Sequence, residues 1–146
     1  MRLLEQAAAA LARRDLGGAE AALLGVIALA PGSAEPMRLL GQVEQMRGDH
    51  AQAVVTLRRA LALKPDDALI RMSLGISLYA AGESDSAVTQ LQQACERAAD
   101  FAPVWFNLGK MLKLRGQSAE AADALQHALG LDADHLGARL DRKSVV

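Results

Sequence analysis

Aromatic residues are scarce in this chain, with one Trp, one Tyr and two Phe among 146 residues. Strands draw on aromatic and β-branched side chains, so the shortage, beside abundant Ala and Leu, disfavours an all-β domain and favours helices. Cysteine is scarcer still: the single Cys95 excludes an intramolecular disulfide framework and any Cys-based zinc cluster. Neither charge is in surplus, since 16 basic against 17 acidic residues leave a formal net charge of −1. That balance carries no electrostatic footprint for DNA, RNA or an anionic membrane, so no nucleic acid and no membrane is expected among the partners. Long apolar runs are missing too. Arg13-Arg14 before the apolar stretch 21–30 superficially resembles a twin-arginine leader, but Glu20 opens that stretch and it falls well short of a membrane span. A buried helix in a soluble, cytoplasmic protein is the expectation. What remains, 51% hydrophobic and 23% charged residues, suffices for the core of one ordinary domain.

What the chain has in plenty is periodicity. Gly41, Gly75 and Gly109 are spaced by 34 residues, as are Gly48, Gly82 and Gly116. The same step links Ala19, Ala53, Ala87 and Ala121, and again Leu23, Leu57, Leu91 and Leu125. Val26, Ala60, Ala94 and Ala128 form a further column, and Leu40, Leu74 and Leu108 another. Pro31 and Pro65 share a column that Ala99 and Ala133 continue. No gap is needed anywhere, and several columns sharing one period are the signature of a repeat architecture.

Each column has a physical meaning. The Leu-Gly step of each unit falls on a helix whose apolar residues recur at three- and four-residue intervals. Gly within a helix is destabilising by roughly 1 kcal/mol relative to Ala, so its recurrence predicts a close backbone approach, with the Ala19 column as the matching small residue. Gly48, Gly82 and Gly116 are expected to end the first helix of their units. Asp49, with Gln52 three residues on, is expected to cap the second as a capping box, and Ser118 is a weaker cap candidate. Pro31 and Pro65 end the second helix, because proline cannot continue it. Each unit is therefore expected to be an antiparallel helix pair.

Such units resemble the tetratricopeptide repeat family, a helix–turn–helix of this length. Residues 102–135 carry the resemblance best, with Trp105, Leu108-Gly109, Leu112, Gly116, Ala121, Leu125 and Ala128 in the family's columns. The resemblance implies an all-α, right-handed α-α superhelix with units near 1–33, 34–67, 68–101 and 102–135. Residues 136–146 are expected to form a short C-terminal helix or to start a fifth unit. Departures from the pattern include Gln6-Ala7 for Leu-Gly and Arg14 in place of a turn glycine. Glu44 and Arg71 replace apolar or aromatic residues, and they are expected to face one another as a partly buried ion pair.

In this family the first helices line a concave face that takes peptide segments. The resemblance assigns Leu4, Ala8 and Leu11 of the first unit, and Arg38, Gln42 and Gln45 of the second, to that face. Leu69, Met72, Ile76 and Tyr79 follow from the third unit, and Phe106, Lys110 and Lys113 from the fourth. Leu69 and Ile76 can equally pack as core, whereas Met72, Tyr79 and Phe106 are assigned to the groove. Asn107 matches the Asn-Leu-Gly step by which arrays of O-linked sugar transferases hold a partner's backbone, its amide offering donor and acceptor. Glu5, Leu39 and Ser73 occupy the equivalent positions, so the full Asn ladder is absent. A carboxylate clamp of the chaperone-binding kind is also disfavoured, because Arg38, Gln42, Ser73, Pro103 and Asn107 supply one cation in five positions.

Candidate catalytic residues do not gather. His50, His127 and His135 fall in different columns, and Cys95 shares the apolar column of Ile27, Leu61 and Leu129, where a buried thiol is inert. Gly17-Gly18 lacks the rest of a phosphate loop and reads as a loose inter-helix turn; the pairs Asp66-Asp67 and Asp132/Asp134 read as helix caps. No cofactor or metal is implied. The expectation is a non-enzymatic module that binds a protein or peptide segment with apolar anchors. Two alternatives stand beside it: the substrate-presenting portion of a larger bacterial sulfotransferase or glycosyltransferase, and a scaffold that forms a homodimer through its open ends.

Overall fold

The computed structural model describes residues 2–144, with side chains described as far as Asp132. Among these residues eight helices and no strand are present. They are α1 (Arg2–Ala12), α2 (Leu16–Leu29), α3 (Ala34–Arg47), α4 (His50–Leu63), α5 (Ala68–Ala80), α6 (Ser84–Arg97), α7 (Ala102–Leu114) and α8 (Ser118–Ser144). Consecutive helices pair as α1 with α2, α3 with α4, α5 with α6 and α7 with α8, and each pair packs on the next.

The turn within each pair is built the same way four times. Gly48, Gly82 and Gly116 take φ of +85°, +91° and +82°, a left-handed conformation that glycine adopts without a Cβ clash. Arg14, one period before Gly48, holds φ +59°. The next residue then returns an N–H to the carbonyl five positions back: Asp15 to Ala10 at 2.8 Å, Asp49 to Glu44 at 2.9 Å, Glu83 to Leu78 at 2.8 Å and Gln117 to Leu112 at 2.9 Å. Backbone geometry is therefore conserved by the turn even where the glycine is missing.

Burial follows the columns. Ala19, Ala53, Ala87 and Ala121 are buried, as are Leu23, Leu57 and Leu91 in the adjoining column. The helix glycines, however, press on the leucines: a Cβ on Gly41 would stand 2.7 Å from Leu57 Cγ, and one on Gly109 would stand 2.6 Å from Leu125 Cγ. The alanine column alone does not explain the glycines. The large side chain that fills the seam does.

Several local expectations are corrected. Asp49 stands at the N-terminus of α4 but its side chain makes no cap bond; Asp15 and Asp67 do cap, accepting from Gly18 at 3.0 Å and from Ile70 at 3.1 Å. Gly17-Gly18 lie inside the first turn of α2, where a Cβ on Gly18 would collide with the capping Asp15 carboxylate. Ser118 is the first residue of α8. Asp132 lies within α8, which passes the expected boundary at 135 and continues to Ser144. Ala133 stands there in place of the prolines that follow α2 and α4, so proline imposes no break, although Ala99 in the same column follows the end of α6. The helix expected from 136 is thus a continuation of α8; His135, Leu136, Leu140 and the remaining tail side chains lie outside the described residues.

Arg71 and Glu44 do not pair. Arg71 donates to Gln90 Oε1 at 3.0 Å, to Gln93 Oε1 at 2.6 Å and to the Pro65 carbonyl at 2.8 Å, tying α5 to α6 and to the preceding turn. Glu44 is buried on α3, near Arg47 and Thr56. The two residues serve different seams.

Candidate protein-interaction groove

Neighbouring first helices touch one another, α3 on α5 and α5 on α7, whereas the second helices make no comparable contacts among themselves in the described residues. A stack whose first helices lie closer together than its second helices bends toward the first helices. The inner row therefore presents the residues of α3, α5 and α7, to which α1 is the equivalent helix of the first unit.

Polar bonds join that row. Gln45 of α3 donates through Nε2 to the Ser73 carbonyl at 2.9 Å and to Ser77 Oγ at 2.5 Å on α5. Asn107 of α7 donates through Nδ2 to Pro103 O at 2.8 Å in its own helix and to Met72 Sδ at 3.7 Å on α5. Both amide protons are thereby engaged. Of the amide's atoms, Oδ1 accepts no bond from the described residues.

Along α3, Arg38 is half-buried and gripped by Glu35, with Nε to Oε2 at 2.9 Å and Nη2 to Oε1 at 2.6 Å. These charge-assisted bonds lower the Glu35 pKa and raise that of Arg38. Gln42 is exposed one turn further on. On α5, Met72, Ile76 and Tyr79 are half-buried against the main core, while Leu69, which could have been core, is 41% exposed. On α1, Leu4 and Leu11 are half-buried and Ala8 is exposed.

The fourth unit is the most open. Phe106 is 53% exposed, and Lys110 Nζ stands 6.0 Å from its ring centroid. Lys110 and Lys113 are both exposed. A cavity of about 340 Å³, lined by Ala102, Pro103, Phe106, Asn107 and Asp132, adjoins the ring. From the sequence Asp132 reads as a cap beyond a helix end; only the continuation of α8 brings it beside α7. Met46 and Leu114, at the C-terminal ends of α3 and α7, are likewise exposed. They share one column of the repeat.

Other reactive side chains stay apart. Cys95 is buried, and desolvation, aided by the Glu96 charge, pushes its thiol up to about 12, which leaves it protonated and unreactive near neutral pH. Leu129, one column-mate of Cys95, is instead 66% exposed. Trp105 donates Nε1–H to the Ala99 carbonyl at 2.8 Å and meets the His127 ring at 4.2 Å, so both side chains help to close the α6–α7 junction. Among the described residues no three His, Cys, Asp or Glu side chains are grouped to hold a metal ion. No helix of the described residues is long and apolar enough to cross a membrane.

Stacked antiparallel helix pairs with an inner row of first helices define the class, an all-α solenoid of helical repeats. Three family models, each described as tetratricopeptide repeat, match residues 4–68, 44–112 and 102–135. The chain belongs to the tetratricopeptide repeat family, whose arrays are protein-interaction modules. No curated protein matches it. Among solved structures it resembles MamA, with a TM-score of 0.83 and 23% identity over 92% of this chain and 79% of that one. MamA residues 41 to the end from Desulfovibrio magneticus RS-1 give 0.82, with 19% identity over 90% of this chain and 75% of that one. A mutant O-GlcNAc transferase from Thermobaculum terrenum gives 0.73, with 32% identity over 76% of this chain but 21% of the transferase. The MamA likenesses speak for the fold alone.

Proposed function

We propose that this chain is a non-enzymatic interaction module that lays a peptide segment with apolar anchors across its inner row of helices. Phe106 carries the reading. A large aromatic side chain left half in water, on a helix of the inner row and beside an open cavity, is the profile of an anchor contact. Met72, Ile76 and Tyr79 extend the apolar floor along α5. Arg38, Gln42, Lys110 and Lys113 flank it with polar groups, and Asn107 Oδ1 offers an acceptor for a backbone N–H. Peptides selected on the full chain from a random library test the reading. Phe106→Ala and Tyr79→Ala should each weaken a selected peptide by more than about 1 kcal/mol with the fold intact. Equal affinity in both variants removes the groove from the function.

The transferase likeness favours a second reading, in which the chain presents substrates to a catalytic domain. Glu5, Leu39 and Ser73 at the positions equivalent to Asn107 weigh against sequence-independent clasping of a long peptide. The uninterrupted reading frame of the gene decides this: a transferase domain in frame supports it. Self-association is a third reading, favoured by exposed Leu129 on α8. Light scattering across concentrations, with Leu129→Glu as the control, tests it.

A further inference from the structure

Charge is spread unevenly along the inner row. The Arg38 guanidinium on α3 is neutralised by both oxygens of Glu35. Met72, Ile76 and Tyr79 on α5 add no charge, and Arg71 of that helix is turned to Gln90 and Gln93. On α7, Lys110 and Lys113 stand nearly one turn apart and exposed, and every ion pair among the described residues is made by an arginine. Phe106 lies between these lysines and a cavity whose rim carries Asp132. An apolar site is thus bounded by two lysines that make no ion pair among the described residues on one side and a carboxylate on the other.

Building on the groove reading above, we propose that the bound segment is acidic on one side of a single large apolar anchor. The anchor enters the cavity between Pro103 and Phe106, and one or two Asp or Glu residues reach Lys110 and Lys113. Asp132 repels a carboxylate at the opposite side, so the charges fix the direction in which the segment lies. Solvent-exposed pairs add little affinity each. They discriminate among segments, while the apolar contact holds them.

The probe is a phage-displayed library of random peptides, selected in parallel on the full wild-type chain and on Lys110→Glu/Lys113→Glu. Wild type should enrich Asp or Glu to one side of a large apolar residue, and the reversed variant should enrich Lys or Arg there. A synthetic peptide from the wild-type pool should weaken on the order of tenfold on the reversed variant at low salt, and the loss should shrink as salt screens the charges. Matching circular-dichroism melts establish that both chains are folded. Phe106→Ala separates the two readings. Peptides that need Phe106 but show no acidic bias, or that bind both lysine variants alike, overturn the charge inference and leave the groove standing. Peptides indifferent to Phe106, or no enrichment at all, overturn the groove reading and this inference with it.

Discussion

Gly75 lies directly beneath Leu91: a Cβ at position 75 would stand 2.9 Å from Leu91 Cγ and 3.2 Å from the Ala87 carbonyl oxygen. Leu91 is fully buried and the carbonyl belongs to a helix, so neither can yield cheaply. Gly75→Ala gains roughly 1 kcal/mol of helix propensity. Overpacking the seam costs about 1–3 kcal/mol and should win, lowering the urea midpoint. A midpoint at or above that of wild type would show slack between α5 and α6.

Arg71 offers a cleaner test of side-chain wiring. Its bonds run to Gln90 and Gln93, so Arg71→Met and Gln93→Ala should couple by about 0.5 kcal/mol or more in a double-mutant cycle. The cycle of Arg71→Met with Glu44→Gln should be additive within about 0.5 kcal/mol. Chemical denaturation of the four chains in each cycle measures both quantities.

Arg14 sits at φ +59° where the other units have glycine. A non-glycine residue in the left-handed region costs roughly 1–2 kcal/mol, and glycine loses up to about 1 kcal/mol of chain entropy on folding. Arg14→Gly should therefore stabilise by roughly 0.5–1 kcal/mol. The reverse experiment, Gly48→Ala, should destabilise. Thermal melts of both variants give the signs directly.

Glu44 is 8% exposed, and its Oε1 has no hydrogen-bond partner. Burial raises its pKa, the Glu20 and Asp49 charges add to the effect, and Thr56 and Arg47 oppose it. The folded chain accordingly holds this proton more tightly than the unfolded chain. Its contribution to stability is present below the ordinary carboxylate range and is lost as pH rises through the raised folded value. Glu44→Gln should stabilise the chain at neutral pH and flatten that decline, as read from urea midpoints between about pH 4 and pH 8. A parallel pH profile in wild type and variant would rule out Glu44 as its source.

The period of the sequence by itself determined the eight-helix order within the described residues, the pairing and most of the buried columns. Those features are local. A turn that needs positive φ selects Gly48, Gly82 and Gly116, and a helix seam selects Gly41, Gly75 and Gly109 beneath leucines, so the second, third and fourth units repeat the same choice. Met72, Ile76 and Tyr79 share one face of α5 by helical spacing, and Phe106 on α7 lies one 34-residue period after Met72, which is why the sequence assigns all four to the groove face. The tertiary structure decided what the polar side chains do. Long side chains such as Arg71 choose between partners on a neighbouring helix and in the preceding turn, and Asn107 spends its donors on Pro103 and Met72, the second of which depends on how the units stack. Asp132 reaches the Phe106 cavity only because α8 continues past the point where α2, α4 and α6 have stopped. Column identity specifies which face a residue occupies; side-chain torsions and the stacking of neighbouring helices specify what it meets there.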